Sequence, residues 1–530
     1  MKLRAGFCRP VADRSVPQSK VTFMKGILAI ACLALPTLAA VRIVAAATPN
    51  ILLITSEDSG PQLGCYGDSF VRTPHLDRLA AEGIRFNRAF VATASCSESR
   101  AAILTGLYPH QNGQIGLAPY YRMSSVRANI PSILRAHGYR TGLIGKLHVN
   151  PESAFPFDYR PDVSECNSFT HRNVGKVAKL AEDFIRGEEA PFFLMVNYAD
   201  AHLPFLRQQY GSPSEALVAN DVRPLPWIGL DAPRLRECQA DYYNCLMRLD
   251  DGVGELLSVL ERTGQQENTL VIYLGDHGAQ FPRGKLASYE SSLHIPLLLR
   301  WPQQLPADES RSGLVSSIDI LPTILEATAI PGPSDLPGRS LLSLCRDQHA
   351  SWRNYLSAEY HAHIPTLYFP QRTIRDDRYK LIVNLLQDRP NPVAAAYTQH
   401  ETPQHPSYVT PDEVAAGSPK VQAAYRTWLT PPPVELYDLQ EDPYELHNRA
   451  ETPELKDVKS HLLAALHEWR MATNDPLLSS KTLDRLTREH DSLASAPQTL
   501  PHEWRYHEYF ASGDKDPPNK VDALHPQHTR

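Results

Sequence analysis

Residues 49–58 read PNILLITSED, and residues 268–278 read NTLVIYLGDHG. Each is a short unbroken apolar run that closes on acids, or on an acid and a histidine. Such a run is too continuous for a strand with one wet face, and it predicts a strand buried on both faces of a parallel sheet. The pattern recurs. Residues 133–148, ILRAHGYRTGLIGKLH, predict a helix, a glycine stop and a strand, and residues 190–202, APFFLMVNYADAH, predict another apolar strand. Residues 295–302, IPLLLRWP, add one more. Between these runs, TPHLDRLAAEGIRF (73–86) predicts a helix with Thr73 as N-cap and Pro74 in its first turn. Residues 234–264 predict one long helix. Helices alternating with apolar strands predict an α/β fold with both faces of the sheet covered.

In such sheets ligands bind beyond the carboxyl ends of the strands. Here the strand ends carry Glu57 and Asp58, Lys146 and His148, Asp200 and His202, and Asp276 and His277. A single acid at a strand end is more often a helix cap or a solvated charge. Four ends bearing this chemistry predict a catalytic or metal site.

Residues 95–106, SCSESRAAILTG, resemble the signature of the sulfatase family of the alkaline phosphatase superfamily. In that signature a cysteine is followed by any residue, proline or alanine, a small residue and arginine, then a helix closing in Thr-Gly. The matching residues are Cys96, Ser99, Arg100, Thr105 and Gly106, and Glu98 departs from the pattern. Further matches are residues 49–60, LIGKLH (143–148), GDHG (275–278), FPRGK (281–285), IDILPTIL (318–325) and ELYDLQEDPYELHN (435–448). Residues 105–117, 155–159, 190–202 and 359–386 are closest to the family's sulfamidase branch.

The resemblance implies a large, mixed, mostly parallel sheet flanked by helices, with a smaller C-terminal α+β domain. It implies hydrolysis of sulfate esters or sulfamates on sugars, with N-sulfoglucosamine of heparan-type glycans as the substrate. A maturation enzyme would oxidise Cys96 to formylglycine, whose hydrate is the nucleophile. One divalent metal, calcium by family habit, would be held by Glu57, Asp58, residue 96, Asp276 and His277, carboxylates being suited to calcium. His277 stands where many relatives have asparagine, and an imidazole also suits manganese or zinc. Arg100 would anchor the modified residue, and Lys146 and Lys285 would grip the sulfate. His148 would take a proton from the hydrate, and His202 with Lys285 would protonate the leaving group. Asp200 is expected to contact the sugar. His361 and His363 match sulfamidase positions, with a surface loop as the other reading. Glu98 is expected to point away from the metal, toward a cation or a helix start.

These roles make physical sense together, because an anionic ester must be neutralised, attacked by a strong oxygen nucleophile and protonated on departure. Two other functions remain open on the sequence: a phosphate or phosphonate ester hydrolase of the same superfamily, and a catalytically silent sulfated-glycan binding protein.

The chain has 530 residues, 42% hydrophobic and 21% charged, with a net charge of −6 and no basic stripe. Nucleic acid is therefore not an expected partner. Residues 24–50 place a lysine before an apolar run and then small residues up to Ala47. That predicts a signal peptide over 1–47, with Met24 as a possible true start, and export to the periplasm or beyond. Pro36 and Arg42 interrupt the run, so no stable membrane anchor is expected. Residues 48–350 are expected to form the catalytic domain, 351–500 the smaller domain and 501–530 a disordered tail. Cys238 and Cys245 fall on one predicted helix about 10 Å apart, too far to pair.

Overall fold

The computed structural model describes residues 48–123, 127–187, 189–398, 406–494 and 504–512. The expected leader, 1–47, lies outside the described residues. No helix among the described residues is long and apolar enough to cross a membrane.

The large sheet has seven strands: β1 (Asn50–Ser56), β2 (Ile84–Phe86), β3 (Arg140–Ile144), β4 (Phe192–Tyr198), β5 (Thr269–Gly275), β6 (Leu297–Arg300) and β7 (Glu309–Arg311). Their order is β3-β4-β1-β5-β6-β2-β7. β3, β4, β1 and β5 run parallel, and β6 returns antiparallel to β5. The register pairs Ser56 with Tyr198 on one side and with Gly275 on the other. The residues following β1, β4 and β5 therefore emerge side by side at one edge.

Every residue of β1 is buried. Alternate side chains point to opposite faces of a strand. Leu52 and Ile54 accordingly join one apolar core with helices α1 (Pro74–Ala81), α3 (Val174–Ile185) and α4 (Pro233–Arg262). Ile51 and Leu53 join the opposite core with α2 (Cys96–Thr105) and α5 (Ile320–Thr328). Each buried aliphatic side chain contributes roughly 1.5–3 kcal/mol, and this two-sided burial is why the strands read as unbroken apolar runs. Cys238 and Cys245 are free thiols on α4.

A second, antiparallel sheet follows: β8 (Leu356–Tyr360), β9 (Gln371–Arg375), β10 (Tyr379–Asn384) and β11 (Val434–Asp438), in that order. Helix α6 (Lys456–Ala472) packs Leu462 and Leu466 against its Ile374, Leu381 and Leu436. Tyr360, Ile382 and Tyr437 belong to the first core of the large sheet.

The expected tail contains an ordered piece. Tyr506–Ser512 is helical, and Trp504, Tyr506 and Tyr509 are buried. The Trp504 ring stacks on Tyr121 at 4.7 Å, and its indole donates to the Tyr120 carbonyl at 2.6 Å. The Tyr506 hydroxyl reaches the carbonyls of Gly113 and Arg122, each at 2.8 Å. These aromatics offset the polar sequence around them, which is why composition alone missed the helix.

Candidate active site

The site forms where the parallel strands end. Glu57 and Asp58 leave β1, Lys146 and His148 follow β3, His202 follows β4, and Asp276 and His277 follow β5. Asp58 and His148 hold left-handed φ values of 51° and 54°, a conformation a non-glycine residue keeps only when its surroundings fix it. Gly145 lies at φ 111°, and a Cβ there would sit 2.3 Å from the Asn197 carbonyl oxygen. Only glycine lets the chain pass so close to β4 before delivering Lys146.

Asp58, Cys96, Asp276 and His277 bring one ligand atom each to within 4.8 Å of one another, all buried. The Asp58 N–H donates to Asp276 Oδ1 at 2.9 Å. His277 Nε2 stands 3.4 Å from Asp58 Oδ1 and 3.3 Å from Cys96 Sγ. Burial would depress the His277 imidazole, but Asp276, Cys96 and Asp58 outweigh it and push it up to about 9. Two carboxylates, a thiol and an imidazole converging within 4.8 Å in a buried site fit a divalent cation, and the carboxylate and imidazole donors suit one. Glu57, also expected among the ligands, is buried beside these four, with Oε1 3.9 Å from the Arg100 guanidinium that binds Asp276. Its Oε2 accepts from Lys146 Nζ at 2.6 Å.

Cys96 opens α2, with Ser95 as N-cap. One turn on, Arg100 donates to Asp276 Oδ2 at 2.9 Å and to the Lys146 carbonyl at 3.0 Å. It ties the helix carrying Cys96 to two strand ends. Lys285 Nζ donates to both Asp58 oxygens, at 3.0 and 2.9 Å. Burial would raise the Cys96 thiol, but Lys285, Lys146 and His277 hold it well below its ordinary range. Glu98 is buried in the first turn, and neither carboxylate oxygen has a hydrogen-bond partner. Of the two expected surroundings Glu98 has the helix start, while no cation among the described residues lies within ion-pair distance; burial pushes the carboxyl up to about 8 against the Ser95 hydroxyl and its own N–H.

Besides His277, three histidines share the cavity with Cys96. His148 Nε2 bonds the Ala118 carbonyl at 3.0 Å, and its buried Nδ1 has no partner. His202 Nδ1 bonds the Leu203 carbonyl at 2.7 Å, which leaves Nε2 as the nitrogen available to a substrate. Burial, reinforced by Lys285, lowers its pKa. His363 Nδ1 stands 2.9 Å from Ser95 Oγ, and burial pushes its imidazole down to about 3.

These groups line a cavity of about 520 Å³, with Cys96, Lys146, His148, His202, Lys285 and His363 on its walls. His363 is therefore part of the site and not a surface loop. His361 is buried elsewhere, 3.6 Å from Glu359 Oε2. Asp200 does not face the cavity as a sugar ligand: Arg248 donates to both its oxygens at 2.9 and 2.7 Å, and Arg172 donates to Oδ1 as well. The cavity also takes Asn167 and Phe169 from the loop before α3, and nothing in the strand-end pattern pointed to them.

The chain matches the sulfatase family over residues 49–330 and the C-terminal region of N-sulphoglucosamine sulphohydrolase over residues 275–405. Its relatives include N-sulphoglucosamine sulphohydrolase of Homo sapiens, 31% identical over 81% of this chain and 91% of that protein. An ulvan-active sulfatase of Formosa agariphila is 28% identical over 81% of each chain. Among solved structures, one in complex with its substrate D-glucosamine-2-N,6-O-disulfate aligns with a TM-score of 0.60 at 20% identity, covering 81% of this chain and 98% of that one. The phosphonate monoester hydrolase of Agrobacterium radiobacter aligns with a TM-score of 0.60 at 19% identity, covering 80% and 96%. Both structural likenesses are likenesses of fold. The extent of the sulfatase match and the human relative at 31% identity establish that the chain belongs to the sulfatase family, as a hydrolase of sulfuric esters or sulfamates.

Proposed function

We propose that this protein is exported and releases sulfate from sugars, with N-sulfoglucosamine of heparan-type glycans as its substrate. The observation that carries the reading is the convergence of Lys146 and Lys285 on Cys96, between His148 and His202, in one cavity. That arrangement supplies charge neutralisation, a nucleophile position and two proton carriers in one place. The N-sulfo assignment draws on the human relative's name and on the match over residues 275–405. Export draws on the leader pattern in residues 24–47.

Asp58, Asp276, His277 and residue 96 would hold a divalent ion, calcium first, which supplies Lewis-acid polarisation of a sulfate oxygen when bound. Formylglycine made from Cys96 supplies a geminal diol, one hydroxyl for attack and one to be deprotonated for release. The chain's own residues do the rest. Lys146 and Lys285 offset the charge of the anionic ester, which would otherwise repel the attacking oxygen. Arg100 fixes Asp276 and so the distance between the two halves of the site. His148 keeps Nδ1 free to take a proton, because Nε2 is committed to Ala118. His202 gives its Nε2 proton to the departing amine or hydroxyl as the imidazolium, which the bound anionic ester favours against the burial and the Lys285 charge that lower its pKa.

The test is sulfate release from N-sulfoglucosamine, set against 6-O-sulfated N-acetylglucosamine and a phosphonate monoester. Turnover of N-sulfoglucosamine foremost is the expected result. Turnover of only the 6-O-sulfate would leave a sulfatase with another substrate. Preference for the phosphonate would overturn the reading.

A further inference from the structure

Phe169 is 51% exposed, although it is a large apolar side chain on a cavity wall. Its loop is not loose. Asn167 Nδ2 donates to the Asn197 carbonyl at 2.6 Å, and Asn167 Oδ1 accepts from the Ala199 N–H at 2.9 Å. Arg172, itself buried and bonded to Asp200, donates to the Ser168 carbonyl at 2.8 Å and to the His202 carbonyl at 3.0 Å. Residues on both sides of Phe169 are thus fastened to the strand end that carries His202. The ring centre stands 4.8 Å from the His202 ring, and Lys146 Nζ lies 6.0 Å from it over the ring. An apolar ring held rigidly in the open, between the leaving-group histidine and a sulfate-binding lysine, is a recognition surface awaiting a partner.

Resting on the proposed action on sulfated sugars, we infer that Phe169 is the platform on which the substrate's pyranose ring stacks. With the sulfate held at Lys146 and Lys285, the sugar must extend past His202, and Phe169 flanks that path. A pyranose presents a face of C–H groups with slight positive charge, and an aromatic face carries negative π density. The contact selects a ring of that shape without using hydrogen bonds. It makes Phe169 a specificity-determining residue, acting on sugar binding and not on the sulfur centre.

The test is calorimetric binding of N-sulfoglucosamine and of inorganic sulfate to the Cys96→Ala protein, which needs no turnover. Adding Phe169→Ala should weaken sugar binding about ten-fold while leaving sulfate binding unchanged, and Phe169→Tyr should restore it. Unchanged sugar affinity in Phe169→Ala, equal loss of sugar and sulfate affinity, or a Cys96→Ala protein that binds sulfate but no sugar would each overturn the platform. Sulfate release by the Cys96 protein is measured separately. Its presence alongside any of those outcomes leaves the proposed function standing, and its absence alongside sugar binding that depends on Phe169 removes the function and keeps the platform.

Discussion

Lys146 Nζ stands 2.6 Å from Glu57 Oε2, just as Lys285 Nζ stands 3.0 and 2.9 Å from the two oxygens of its neighbour Asp58. Each of the adjacent acids thus carries its own lysine, and Asp58 alone of the two shares a donor set within 4.8 Å with Cys96, Asp276 and His277. Glu57→Ala should leave the bound metal content unchanged and lower kcat by about 10²–10³-fold, since a preorganised charge loses its orientation. Asp276→Ala should lose the metal itself. Elemental analysis of both variants beside their kinetics checks the distinction, and metal loss in Glu57→Ala would return Glu57 to the ligand set.

A cluster of buried anions is unstable without a counter-charge. Exhaustive chelation should therefore lower the melting temperature as well as activity. Restoring the ion at 100 times its Kd should return about 2.7 kcal/mol. Thermal scans with and without chelator read this directly, and an unchanged melting curve would count against a metal among Asp58, Asp276 and His277.

The tryptic peptide containing residue 96 should carry the mass of an aldehyde in protein that releases sulfate. Cys96→Ser supplies an oxygen but no second hydroxyl, and should lose turnover by on the order of 10³-fold or more. Active protein whose peptide shows only the thiol would overturn the formylglycine mechanism.

Glu98 is buried, and its oxygens meet no ion-pair partner and no hydrogen bond of full geometry, with only the Ser95 hydroxyl and its own N–H near them. Leaving a polar group in this state costs about 1–3 kcal/mol, so Glu98→Met, similar in length and apolar, should raise stability by that order. Urea denaturation at neutral pH decides it; a destabilised variant would mean that the carboxyl has a role in the fold.

Arg372 donates to Asp475 at 2.9 and 2.8 Å, with Arg470 at 2.6 Å, in the buried region behind the second sheet. Burial alone would raise the Asp475 carboxyl, but Arg372 holds it well below the usual range. Its folded pKa being depressed, it contributes stability above about pH 3.9, its unfolded value, and that contribution disappears as pH falls further. Asp475→Asn should cost about 1.5–3 kcal/mol at neutral pH, because it removes charge-assisted hydrogen bonds from Arg372 and leaves it Glu359, 3.4 Å away, as its charged partner, and should flatten the acid limb of stability against pH. Acid unfolding that is identical in the two proteins would refute this.

The strand-end residues were legible because their neighbours are local: an apolar run and the acid that closes it lie within a few residues. The parallel register then carried Asp58, Asp276, Lys146 and His202 to one edge. What the sequence concealed depends on distant partners. Asp200 looks like a sugar ligand until Arg248, 48 positions away, occupies both its oxygens. Phe169 lies on a loop whose shape is set by Asn197, Ala199 and His202, far along the chain. Glu57 and Asp58 are alike in one dimension, and only folding hands Glu57 to Lys146 and Asp58 to Lys285.

The Trp504 and Tyr506 contacts fasten the stretch from Gly113 to Arg122. That stretch includes Ala118, whose carbonyl holds His148, and Leu117, whose N–H bonds the His363 carbonyl. A chain leaves the ribosome from its N-terminus, so residues 113–122 wait for partners made 384 to 393 positions later. The segment that holds His148, the proposed general base, thus gains its Trp504 and Tyr506 contacts only once residues 504–506 have been synthesised.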